Sequence, residues 1–150
     1  MAGGDAFGGA RKDLGTHKVD LPPGRAVGIA TIVATDIPGD SILHIATRTP
    51  EGATTRHFAP RPYKTYAFAA PDIKLSNRST DGALISKVAS ERPAYFVALA
   101  CDVPGHFSSQ AFDLLPGEPR EVTFRPEDPG TLAEAARILI VRDLYSATCK

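Results

Sequence analysis

Carboxylates, histidines and serines decide what chemistry this sequence could perform, and several of them fall close together. Asp102, Asp113 and Glu118 lie within one short stretch, where a calcium site or an acid/base pair could be built. Their local settings explain them more simply. Asp102 precedes a Pro-Gly turn whose backbone it can cap, Asp113 falls on the solvent face of a strand, and Glu118 follows a tight turn. His17, His44, His57 and His106 are scattered, with no i, i+2 or i, i+4 pair and no cysteine spacing that would mark zinc. His44 shares a strand face with Ile42 and Ala46, so it reads as a hydrogen-bonded core histidine. Ser108 and Ser109 stand beside His106, but sequence neighbours do not make a triad, and no glycine-flanked nucleophile elbow is present. Gly3-Gly4 and Gly8-Gly9 lack the Lys-Ser/Thr and strand-helix frame of a phosphate loop, and read as a flexible leader over residues 1–14. No catalytic, cofactor or metal site is assigned from these residues.

Two tyrosines carry the one binding alternative. Sugar-binding sandwiches use exposed rings as platforms for the apolar faces of pyranoses, and Tyr63 and Tyr66 could serve in that way. Against this, the chain has no tryptophan, and Tyr66 alternates in phase with Phe68, which suits core packing or a domain junction.

Composition narrows the partners. The 17 basic and 17 acidic side chains cancel, which removes the charge footprint of a nucleic-acid or polybasic membrane binder. No apolar run reaches 18 residues, and the opening stretch lacks the continuous apolar core of a secretory signal. Cys101 and Cys149 are too few for a disulfide framework and read as a buried small hydrophobe and a frayed terminal thiol.

The elements that must position these residues are short strands. With 43% apolar residues over 150, the chain can bury a core, and its 13 glycines and 13 prolines punctuate apolar runs along the whole length. Strands are expected at 27–33, 42–47, 54–58, 64–68, 83–88, 94–101, 110–115, 121–124 and 138–144. Residues 94–101 are apolar on both faces and suit a central strand. One short helix is expected to start at Thr131, with Glu134 completing a capping box. The result is an all-β chain.

Phe112 and Leu114 alternate with Asp113, and Val122 and Phe124 alternate with Glu121, Thr123 and Arg125, the period of half-buried strands. Leu115-Pro116-Gly117-Glu118 between them is suited to a type II turn, so a hairpin is expected. Asp20-Leu21-Pro22-Pro23-Gly24 echoes Asp113-Leu114-Leu115-Pro116-Gly117, and Ile42-Leu43-His44-Ile45 echoes Ile138-Leu139-Ile140-Val141. Two related β units are implied, over residues 15–70 and 71–150. The first lacks strands ahead of its turn and is expected to be incomplete, with edges open to another segment or chain.

Asp102-Val103-Pro104-Gly105-His106-Phe107-Ser108, Ala111-Phe112-Asp113-Leu114-Leu115-Pro116-Gly117-Glu118, Val122-Thr123-Phe124 and Leu139-Ile140-Val141-Arg142-Asp143-Leu144 together resemble the closing region of β-mannosidases of glycoside hydrolase family 2. Ser109 and Gln110 depart from the Asp-Asn usual there. His57 through Lys64 resembles, more loosely, the Phe...Pro-Lys segment that ends the family's preceding immunoglobulin-like domain. The resemblance implies an immunoglobulin-like β-sandwich, two in tandem with the first incomplete. It also implies a parent enzyme that removes terminal β-linked mannose with retention, using two carboxylates about 5 to 5.5 Å apart on a catalytic barrel. A (β/α)8 barrel needs about 250 residues. The chain is therefore expected to be an accessory region, inactive alone, whose partner is that barrel or another subunit. The alternative is a free-standing module that binds manno-oligosaccharide or protein.

Overall fold

The computed structural model describes residues 2–5, 12–50 and 52–148. Two compact units divide the chain, Met1–Ala67 and Phe68–Lys150.

The second unit is built from seven strands and carries the signature residues. A four-stranded antiparallel sheet combines β5 (Ile73–Thr80), β6 (Ala83–Ser90), β10 (Arg120–Pro126) and β8 (Gly105–Phe107) in that order. A three-stranded antiparallel sheet combines β11 (Ile140–Arg142), β7 (Ala94–Ala100) and β9 (Phe112–Leu114). The numbering of the strands that precede these, β1 to β4, belongs to the first unit. Leu84, Val88, Val122 and Phe124 from the larger sheet and Ala94, Val97, Leu99, Phe112 and Leu114 from the smaller one form a single buried cluster. Two sheets sharing one core make a sandwich, and four strands on three is the count of a constant-type immunoglobulin domain. The expectation of an all-β, immunoglobulin-like chain is borne out.

Several local expectations change. The Leu115 to Glu118 turn forms, with Gly117 at φ +77° and the Glu118 amide donating to Leu115 O at 3.0 Å. The strands it joins do not form a hairpin, however: β9 pairs with β7, while β10 pairs with β6 and β8. The turn therefore carries the chain from one sheet to the other. A helix α1 (Leu132–Ile138) does follow Thr131, but the Thr131 side chain caps nothing. Instead Asp128 Oδ1 accepts from the Gly130 amide at 2.8 Å and the Thr131 hydroxyl donates to Asp128 O at 2.7 Å, so the cap falls one short turn earlier. The strand expected over 138–144 shrinks to β11, between α1 and a five-residue helix α2 (Leu144–Thr148). Strands β5 and β8 were not among the expected ones; β5 is polar but for Ile73 and Leu75, as an exposed edge strand tends to be.

The first unit is a four-stranded antiparallel sheet in the order β2 (Lys12–Asp13), β1 (Ala2–Asp5), β3 (Ser41–Thr49) and β4 (Gly52–Phe58). Ala2–Asp5, expected as leader, thus pairs with Ser41–His44, while residues 6–11 and Cys149 lie outside the described residues. Residues 27–33 form no strand. Val27, Ile29 and Val33 are 43%, 52% and 54% exposed, and among the described residues they find no ladder partner, which β propensity alone cannot replace. Residues 64–68 form no strand either, because Pro62 at φ −57° leads into the 3-10 turn Tyr63–Thr65, closed by the Thr65 amide on Pro62 O at 2.9 Å. The repeated Pro-Gly motif does fold alike in both places. Arg25 N donates to Pro22 O at 3.3 Å with Gly24 at φ +70°, as Glu118 N does to Leu115 O; its companion echo sets a strand, β3, against a helix-to-strand junction.

Candidate functional site

Residues 102–126, which carried the sequence resemblance, are used up in joining the sandwich. Val103, Phe112, Leu114, Leu115, Val122 and Phe124 are buried. Gly105 pairs with Pro126 and lies where a β carbon would come within 2.5 Å of Arg125 O and of the Phe124 ring. That close approach lets Phe107 stack on Phe124 with ring centroids 4.6 Å apart. Ser108 pairs with β10 twice, its amide donating to Thr123 O at 2.8 Å and its hydroxyl accepting from Thr123 N at 2.9 Å. Its oxygen thus extends a strand ladder, and the neighbouring His106 is exposed on β8 opposite Arg125.

The signature carboxylates have separate tasks. Asp113 is half-buried, and its Oδ1 accepts from Phe96 N at 3.3 Å, so it is more than a solvent-facing residue. Glu118 closes the turn through its backbone. Asp102 is exposed, and the turn-capping hydrogen bond expected of it is not formed with any described residue. Among the described residues no group of three or more His, Cys, Asp or Glu side chains is placed to hold a metal ion. Gln110, which replaces the usual Asn, reaches across to β7: its Nε2 donates to Leu99 O at 2.8 Å and its Oε1 accepts from Leu99 N at 3.2 Å. A side-chain amide there imitates one rung of a β-ladder.

Of the two tyrosines, Tyr66 is buried at 6% exposure and its phenol oxygen accepts from Arg61 N at 3.2 Å. Tyr63 is half-buried, with its phenol 2.5 Å from His57 Nε2 and its ring edge-on to the imidazole. The histidines hold one arrangement that sequence spacing concealed. His44, 5% exposed, lies directly opposite His57 across β3 and β4, with ring centroids 6.4 Å apart. Both strands were legible; pairing them with each other would have revealed the pair. In the second unit the exposed large apolar side chains are Phe96 and Ile140, on adjacent strands β7 and β11. Phe96 was expected to sit within a two-sided buried strand. A bulge between Ala94 and Val97 turns it outward, at φ +53°.

An exposed pair carries shifted titrations. Lys74 hydrogen-bonds Glu91, which raises the ammonium pKa and lowers the carboxyl pKa from their ordinary values, by the hydrogen bond first and the opposite charge second. Such a pair fastens β5 to the end of β6 without chemistry of its own, and water screens it.

An antiparallel sandwich of two sheets around one shared core defines a β domain of immunoglobulin type. The family described as Ig_mannosidase, Ig-fold domain, matches residues 68–147, which span the complete seven-stranded unit. The chain belongs to this family of mannosidase-type Ig-fold domains. A search of curated proteins gave no match. Among the described residues no helix is long and apolar enough to cross a membrane.

Proposed function

We propose that this chain is an accessory β-sandwich region of a β-mannosidase, supporting the catalytic barrel and inactive by itself. The observation that carries this reading is the family match to residues 68–147, laid over a sandwich whose signature residues serve its own core and turns. The first unit is then the remnant of a preceding immunoglobulin-like domain. Its single sheet, with Ile42, Leu43, His44 and Tyr66 as its buried residues among those described, is in keeping with half of a sandwich. Its partner is the barrel or another subunit of that enzyme.

Support has a measurable meaning. A β-mannosidase barrel lacking its own closing sandwich, incubated with the purified chain, is expected to keep its activity on heating several-fold longer than the barrel alone. The chain alone is expected to leave a chromogenic β-mannoside unhydrolysed. Turnover by the chain that survives further purification, or a barrel whose half-life ignores the chain, would overturn the reading. Free-standing sugar binding through Tyr63 and Tyr66 has less support, since one ring is buried and the phenol of the other is within hydrogen-bond distance of His57.

A further inference from the structure

The chain enters the sandwich through residues 68–72, which belong to no strand, yet side chains of the β6–β7 turn reach two of their carbonyls. Ser90, at the end of β6, is buried at 7% exposure. Its hydroxyl lies within hydrogen-bond reach of Pro71 O and, at 2.6 Å, of Arg92 O, and it accepts from Arg92 N at 3.3 Å. The single hydroxyl proton serves one of those two carbonyls at a time, so the oxygen is a shared node between the entering chain and the turn after β6. One residue further back, Arg92 Nη1 donates to Ala70 O at 3.1 Å. Phe68 packs its ring on Tyr95 of β7, with centroids 5.6 Å apart, and Pro71 is buried. Asp72 then adopts φ +53°, a conformation that L residues other than Asn, Asp and Gly seldom take, and from it the chain turns into β5 at Ile73, the register partner of Ser90.

A connecting segment with no ladder of its own would ordinarily be mobile on the nanosecond scale. Here three successive attachments, at Phe68, Ala70 and Pro71, converge on the β6–β7 turn and on the first residues of β7. We propose that residues 68–72 are a clasped strap: Ser90 is the clasp, Arg92 the outer tie, and the strap makes the entry of the chain a rigid part of the sandwich. Its use, transmitting support without slack, rests on the accessory reading above; the clasp itself does not.

The test is backbone 15N relaxation on the whole chain, with order parameters read at Ala69, Ala70 and Asp72. In the unaltered protein they are expected near the ~0.85 of rigid backbone, falling below ~0.6 in the double variant Ser90→Ala, Arg92→Met while the amides of Leu84, Val97 and Val122 stay unchanged. Arg92 is exposed, so Arg92→Met alone decides the matter should Ser90→Ala also loosen β6. Low order parameters in the unaltered chain, or a strap indifferent to Arg92→Met and to the double variant, overturn the proposal. A rigid strap together with a barrel that gains nothing from the chain would sink the accessory function and leave the clasp standing.

Discussion

At the scale of single residues, glycine and serine carry more of this fold than the charged groups do. Gly105 is required by proximity, because backbone oxygen and an aromatic ring already occupy the space a methyl group would take. The ring could tilt, but the carbonyl of Arg125 belongs to the β8–β10 ladder and cannot retreat without breaking it. Overpacking of this kind costs about 1 to 3 kcal/mol, and a unit of this size loses roughly 4 to 8 °C per kcal/mol. Gly105→Ala is therefore expected to lower the thermal midpoint of the second unit by at least about 4 °C, measured by circular dichroism. A midpoint within about 1 °C of the unaltered chain would show that β8 gives way easily. Ser86 is the opposite case. It faces the core between Leu84 and Val88, fully buried, with no hydrogen-bond partner for its hydroxyl among the described residues. A hydroxyl in that position costs stability.

At the scale of elements, the junction of β7 and β9 explains both what the sequence disclosed and what it withheld. The alternation of Phe112 and Leu114, and of Val122 and Phe124, is a local signal, and all four side chains reached the core. Turn chemistry is local as well, so Pro116-Gly117 announced its turn. Which sheet a strand joins is decided by distant partners, and nothing in residues 112–124 distinguishes a hairpin from a step between sheets. The bulge lay equally beyond reach, since the four residues from Ala94 to Val97 oppose the three from Phe112 to Leu114 only once the strands are paired. Phe96 and Ala111 at φ +53° and +54° record the strain of that mismatch. Gln110 and Asp113 help to hold it together by lending side-chain oxygen and nitrogen to backbone groups of β7. Gln110→Ala is expected to cost about 1 to 2 kcal/mol, because two hydrogen bonds to one peptide pair are lost together. Hydrogen exchange at the Leu99 amide should then rise at least tenfold, while exchange along β6 and β10 stays the same. Unchanged protection at Leu99 would mean that β9 is secured by its core side chains alone.

At the scale of the whole molecule, the two units differ in how much each has to hold it together. The second encloses a cluster drawn from both its sheets, capped by Ala135 and Leu139. The first buries Ile42, Leu43, His44 and Tyr66 among its described residues, while Leu14, Leu21, Val27, Ile29, Val33, Ile45 and Phe58 stay exposed. Hydrophobic burial is the main favourable term in folding, so the first unit has far less to set against its chain entropy. Unfolding in urea is accordingly expected in two stages. Tyr63 and Tyr66 belong to the first unit and Tyr95 and Tyr145 to the second, so Tyr→Phe variants can assign tyrosine fluorescence to each stage. The first unit should melt at the lower denaturant concentration. A shortened chain, Phe68–Lys150, should reproduce the second transition with its midpoint within about 0.3 M, since it keeps both sheets, the strap and the clasp intact. One cooperative transition for the full chain, with a midpoint that falls when residues 1–67 are removed, would instead make the first unit part of what stabilises the sandwich, and the reading of it as a remnant would have to be given up.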